Sequence, residues 1–117
     1  MKHSMKLAVI GLGDFGRELV KRLAQEGHEV LAVDVSLDIV ESLADAATSA
    51  VALDSTDEKA MRTLNLEDMD AVILASSQSF ETLIVTAELL RKIGGRGDFL
   101  CYWARVGKSR IGGFGIA

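Results

Sequence analysis

This sequence predicts a doubly wound α/β fold with a parallel sheet, and three observations carry the prediction. Apolar runs alternate with stretches of helical periodicity along most of the chain. The first apolar run opens into Gly11, Gly13 and Gly16 at G-x-G-x-x-G spacing, and the second ends in Asp34. Runs such as Ala71-Val-Ile-Leu-Ala75 are apolar at every position, as strands covered on both faces must be.

Element by element, strands are expected at 6–11, 29–34, 48–53, 70–75 and 98–103, and helices at 14–27, 37–45, 57–65 and 79–93. Short strand–helix connections imply right-handed crossovers with helices on both faces of the sheet. The first helix turns Phe15, Leu19, Val20 and Leu23 inward and stops at Gly27. Ser55 and Glu58 have capping-box spacing at the start of the third helix. The fourth helix spreads Phe80, Leu83, Ile84, Ala87 and Leu90 over a wide arc, enough to cover the sheet and meet another subunit. Residues 1–117 therefore read as a single Rossmann-like domain, with 106–117 an atypical Gly-rich tail. Phe99-Leu-Cys-Tyr-Trp-Ala-Arg105 supplies a fifth strand. Gly107, Gly112, Gly113 and Gly115 argue against a helix after it, so the C-terminal elements read as truncated. Gly107-Lys-Ser109 is not a P-loop, because no glycine stands five positions before Gly107.

Composition narrows the function classes. A chain of 117 residues with 49% hydrophobic content can bury a real core. Its formal charge of −4 argues against a general nucleic-acid binder, which needs a basic face. No run approaches the roughly 18 apolar residues of a membrane span, and Met1-Lys-His-Ser-Met-Lys6 is not a signal peptide, so a cytoplasmic location without direct membrane insertion is expected. Cys101 is the only cysteine, which rules out an internal disulfide, and it reads as a small buried hydrophobe. Two histidines and that cysteine, far apart in sequence, do not suggest a metal site.

The glycine motif and the acid carry the chemistry. Gly11 lets the chain turn out of the strand, Gly13 lets a pyrophosphate approach the backbone, and Gly16 lets the helix pack against the strand. The helix N-terminus then aims its N–H groups and positive dipole end at phosphate. Asp34, 23 positions after Gly11, can accept hydrogen bonds from ribose hydroxyls and would repel a 2′-phosphate, which disfavours NADP. The same glycines would also serve a fold of this kind that had lost its ligand. Asp14, inside the phosphate loop, either complements the helix dipole toward solvent or, facing the pocket, selects against terminal phosphates. Arg17 is either a phosphate contact or a solvated helix charge. Ligands of such folds lie at the carboxyl ends of the strands, where four segments converge: Gly11 to Gly16, Asp34-Val-Ser36, Asp54-Ser-Thr56 and Ser76-Ser-Gln-Ser79. Ser55 and Thr56 could flank an adenine or cap a helix. Ser76, Ser77 and Gln78 could line the ribose or form a polar loop. His28 falls at the opposite edge and reads as a surface turn residue.

Four of these segments resemble the RCK/KTN (TrkA-N) domains, the nucleotide-binding regulators of potassium channels and transporters. They are Leu7-Ala-Val-Ile-Gly-Leu-Gly-Asp-Phe-Gly16, Gly27-His-Glu-Val-Leu-Ala-Val-Asp34, Ala52-Leu-Asp-Ser-Thr-Asp-Glu58 and Asp68-Met-Asp-Ala-Val-Ile-Leu-Ala75. The likeness runs over roughly residues 5 to 95 in order and spacing. It implies a lobe that binds NAD(H) or an adenine nucleotide (ATP, ADP or AMP). It also implies a membrane-embedded potassium channel or transporter subunit as partner, and a homodimer or higher oligomer. Carried over by matching position, Gly11, Gly13 and Gly16 meet the phosphates, Asp34 holds the adenosine ribose, Asp54 and Ser55 lie beside the adenine, and Ser76 approaches the ligand; Asp14, Phe15 and Val35 are expected at the same cofactor site. Two departures stand out: several members carry arginine where Asp14 stands, and the Gly-rich tail replaces a further helix and strand.

The resulting expectation is a non-enzymatic sensor with neither catalytic residues nor a metal. Its ligand would shift the arrangement of paired domains, on the inner face of the membrane through its partner. The competing class is an NAD-dependent oxidoreductase or its cofactor-binding fragment. That class needs a second region to position substrate beside the nicotinamide, and only about twenty residues follow the fourth helix. Tyr102 and Lys108, six apart, make no plausible catalytic pair.

Overall fold

The computed structural model describes residues 4–75, 79–94, 98–105 and 110–116, with side chains for 4–75, 79 and 81–93. Its elements alternate as the apolar runs predict: β1 (Lys6–Ile10), α1 (Asp14–Gln25), β2 (Glu29–Asp34), α2 (Leu37–Ser42), β3 (Ser49–Ala52), α3 (Glu58–Arg62), a 3-10 turn (Leu66–Asp68), β4 (Ala71–Leu74), α4 (Phe80–Gly94), β5 (Asp98–Arg105) and β6 (Arg110–Ile116). The sheet order is β3-β2-β1-β4-β5-β6. Strands β1 to β5 are parallel and β6 runs antiparallel to β5. The chain starts in the middle and winds outward twice, in opposite directions. The reversal falls between β1 and β4, where folds of this order keep their ligand crevice.

Alternation along the central strands builds two cores. Ala8 and Ile10 of β1 with Val72 and Leu74 of β4 face the layer holding Met61, Leu83, Ala87 and Leu90. Val9 and Ile73 face the opposite layer, with Val20 of α1 and Val40 and Leu43 beside it. Past the exposed Lys6 that opens β1, both strands are covered on both faces, and residues 7–10 and Ala71–Leu74 include no polar residue. Of the four apolar positions expected to bury α1, Val20 is fully buried and Phe15, Leu19 and Leu23 pack against that core from partly buried positions. Gly27 turns the chain after α1 with φ 90°. At this end of the sheet, away from the strand C-termini, His28 accepts a hydrogen bond on Nδ1 from the Met5 N–H (3.1 Å).

Three elements depart from the sequence reading. Helices expected at 37–45 and 57–65 are shorter, and the second stops because Asn65 takes a left-handed conformation (φ 52°) before the 3-10 turn. Ser55 does not cap α3. Asp57 does, accepting from the Ala60 N–H (3.3 Å), while Glu58 pairs with Arg62 and Lys92 (2.9 Å each). Those two cations, Lys92 foremost, hold the Glu58 carboxyl below its ordinary range. The Gly-rich tail, assigned no regular element from sequence, forms β6 with Gly112, Gly113 and Gly115 in register with Trp103, Tyr102 and Leu100.

Candidate functional site

A cavity of about 290 Å³ opens at the carboxyl ends of β1, β2 and β3. Its wall includes Gly11, Leu12 and Gly13 from the glycine loop, Asp34 and Val35 after β2, Asp54, Ser55 and Thr56 after β3, and Thr82 from α4. This lies at the lower edge of the range of small-molecule sites, and the wall adds apolar Ile10, Val33, Ile39, Leu53 and Leu74 to those polar groups.

The glycine loop is held from both ends. Gly11 has φ 95°, a left-handed conformation that costs an L-residue about 1 kcal/mol or more, and its N–H donates to the Val33 carbonyl (2.8 Å). Gly13 occupies the N-cap of α1, where it supplies no side-chain cap. The Asp34 carboxylate spans from strand to loop: Oδ2 accepts from the Leu12 N–H (2.7 Å) and Oδ1 from the Ser36 N–H (2.8 Å). Each carboxylate oxygen has room for a second donor, so a ribose hydroxyl could join without displacing either bond.

Past β3, the Asp54 carboxylate accepts from Thr56 twice, from Oγ1 (2.6 Å) and from the backbone N–H (2.9 Å). The hydroxyl first and the N–H second hold this carboxyl below its ordinary range, so it faces the cavity ionised at neutral pH. Ser55 pairs with Thr86 through their hydroxyls (3.0 Å). Among the described residues Thr86 is the one fully buried polar side chain, so this bond ties the cavity rim to the middle of α4. Thr86→Val should lower stability by about 1 kcal/mol, read from urea unfolding, because the shape is kept and one neutral hydrogen bond is lost.

Of the candidate residues, the structure brings Gly11, Gly13, Asp34, Val35, Asp54 and Ser55 onto one wall. Asp14, Phe15 and Gly16 begin α1 behind the loop and do not line the cavity. Gly16 lies against the Gly11 carbonyl instead, where a Cβ would come within 2.0 Å. Arg17 bonds to Asp14 (Nη2 to Oδ1, 2.8 Å). Ser76, Ser77 and Gln78 lie outside the described residues. Sequence reasoning missed Thr82 and Thr86. Their signal was available: two hydroxyls four apart, and so on one face of the helix, in the run Thr82-Leu-Ile-Val-Thr-Ala87 that is otherwise apolar.

Comparison with known proteins agrees with this fold. The family model for the TrkA-N domain matches residues 7–109. The chain is 42% identical over 89 residues to Ktr system potassium uptake protein C of Bacillus subtilis (strain 168), an alignment that covers 76% of this chain and 40% of that protein. The chain thus spans about two fifths of the length of the curated relatives it matches. The NAD(P)-binding domain of an exopolyphosphatase-related protein from Archaeoglobus fulgidus superposes with a TM-score of 0.69 at 33% identity, covering 86% of this chain and 71% of that one. The TrkA-N domain of the inner membrane protein ybaL from Escherichia coli superposes with a TM-score of 0.72 at 18% identity, covering 89% and 76%, a likeness of fold. By its motifs, its strand order and these matches, the chain belongs to the TrkA-N domain family.

Proposed function

We propose that this chain is the nucleotide-sensing regulatory domain of a potassium channel or potassium uptake transporter, binding NAD(H) or an adenine nucleotide (ATP, ADP or AMP). The observation that carries the reading is the convergence, on one cavity, of the glycine-loop backbone and a carboxylate at the end of β2. In this reading the backbone of Gly11 and Gly13 and the N-terminus of α1 meet the phosphates, with Asp14 and Phe15 in that first turn and Gly16 packing the helix against the loop. Asp34 and Val35 hold the ribose, Asp54 and Ser55 flank the adenine, and Ser76 approaches from the end of β4. The potassium uptake protein among the relatives supports the transport context and a membrane-embedded partner on the cytoplasmic side. Ligand would act by population shift, favouring one arrangement of paired domains.

A thermal-shift panel with NAD, NADH, NADP, ATP, ADP and AMP tests this. A ligand that binds only the folded state adds about 2.7 kcal/mol of stability at a hundredfold excess over Kd. At least one ligand should raise the melting temperature, with NADP weaker than NAD, and with no turnover of alcohols or 2-hydroxy acids in the NAD(P)H absorbance. A flat panel would make this an empty Rossmann lobe, and turnover would make it an oxidoreductase.

A further inference from the structure

We infer that this site selects ligands by charge, disfavouring a nucleoside triphosphate relative to the monophosphate, with Asp14 and Arg17 setting the margin. The inference rests on the nucleotide reading above and deepens it. The charged side chains on the described wall of the cavity are Asp34 and Asp54, and no lysine, arginine or histidine stands among them. Both carboxylates are held in place by hydrogen bonds, from Leu12 and Ser36 on Asp34 and from Thr56 on Asp54. Phosphate in this site would thus be met by backbone N–H groups and the end of a helix dipole worth about half a charge.

Arg17, four residues into α1, is the cation that could add to that field. Its guanidinium is instead engaged by Asp14, whose carboxylate occupies the first turn of the same helix at 2.8 Å. The pair is locally neutral, so each further phosphate charge gains no full positive charge to offset Asp34 and Asp54. Both partners are partly exposed, at 41% and 76%, and the interaction can be edited without opening the core.

The sign follows from Coulomb's law. Asp14→Asn keeps the shape, removes one negative charge and releases Arg17, a local change of one positive unit. A unit charge on the order of 8 Å away in water changes affinity roughly two- to threefold for each ligand charge. ATP carries about two more negative charges than AMP, so D14N should raise the affinity for ATP relative to AMP by about fivefold at low salt. Arg17→Gln leaves Asp14 unpaired and should move the ratio in the opposite direction. Both effects should collapse at 1 M salt, where the Debye length is about 3 Å.

Titration calorimetry of the wild-type chain, D14N and R17Q with AMP and ATP, without magnesium and at two salt concentrations, reads these ratios directly. Circular dichroism melts confirm that each variant is folded. The expected result is AMP tighter than ATP in the wild type, a narrowed or inverted ratio in D14N, a widened one in R17Q, and convergence at high salt. An ATP:AMP ratio that D14N leaves unchanged, or a wild type that prefers ATP, overturns charge selection while nucleotide binding stands. Binding of neither AMP nor ATP by any of the three chains overturns charge selection, and a flat thermal-shift panel beside it overturns the nucleotide reading as well.

Discussion

Gly16→Ala should cost this domain about 3 kcal/mol or more, and lower its melting temperature by at least about 10 °C. A Cβ at this position would lie 2.0 Å from the Gly11 carbonyl oxygen and 3.0 Å from the carbonyl carbon. Even the weak C–H···O contacts of proteins keep about 3.3 Å between carbon and oxygen, so the overlap is more than an ångström. Both obstructing atoms are backbone, so no rotamer change can relieve it. Gly11 cannot swing aside either, because its N–H is bonded to Val33 and its φ of 95° is fixed by the turn out of β1. The helix would have to retreat, opening the contact between α1 and β1 in which Val20 and Val9 share a core. Lys21→Ala, on the exposed side of the same helix, should shift stability by less than about 0.5 kcal/mol. Equal melting temperatures for G16A and K21A would mean that α1 slides freely over the loop, and the packing role of this glycine would be refuted.

This clash also shows what the sequence could and could not disclose. The central strands were legible, because a strand covered on both faces has to be apolar at every position, as Leu7 to Ile10 and Ala71 to Ala75 are. The glycine spacing located the loop, and Asp34 was found by its place at the end of the second strand. Helix ends were less legible. Between Asp54 and Asp57 four consecutive residues can cap a helix, and the Ser55–Glu58 spacing pointed to the wrong one. What decided it was tertiary: Thr86 on α4 takes the Ser55 hydroxyl, and Lys92 with Arg62 takes Glu58. Strand β6 was invisible for a related reason. A segment with three glycines has poor intrinsic strand preference, and only its pairing with β5 gives it the conformation. Thr82 reached the cavity unseen because nothing in a helical pattern says which residues of the first turn point toward a neighbouring loop.

The division is physical. Burial writes itself into sequence as a period, and a tight turn writes itself as glycine. Hydrogen bonds between distant hydroxyls leave only a pair of ordinary polar letters. The ion pair of Asp14 with Arg17 lies between these cases. Its i,i+3 spacing is local and readable, yet sequence alone left both residues with two roles each. In the structure each has the other as partner.

Asp34→Ala should lower stability by about 2 to 3 kcal/mol and abolish discrimination at the ribose. The carboxylate is the acceptor for two backbone donors. One of them, the Leu12 N–H, belongs to a residue with no exposed surface, so truncation leaves a buried donor without its charged partner. Since Leu12 lies between Gly11 and Gly13, the loss also loosens the loop that would receive phosphate. Stability alone does not locate a ligand, so Asp34→Asn separates the two roles. Asparagine keeps the shape and one oxygen for Leu12 but turns an amide N–H₂ toward Ser36, and about half the stability loss should remain. What changes fully is the charge. With the carboxylate present, a 2′-phosphate is repelled and NAD should bind more tightly than NADP. With asparagine, the NADP penalty should shrink at least severalfold while NAD binding weakens. An NAD:NADP ratio identical in the wild type and D34N would mean that no ribose lies against Asp34. The carboxylate would then serve only as the strut between β2 and the glycine loop.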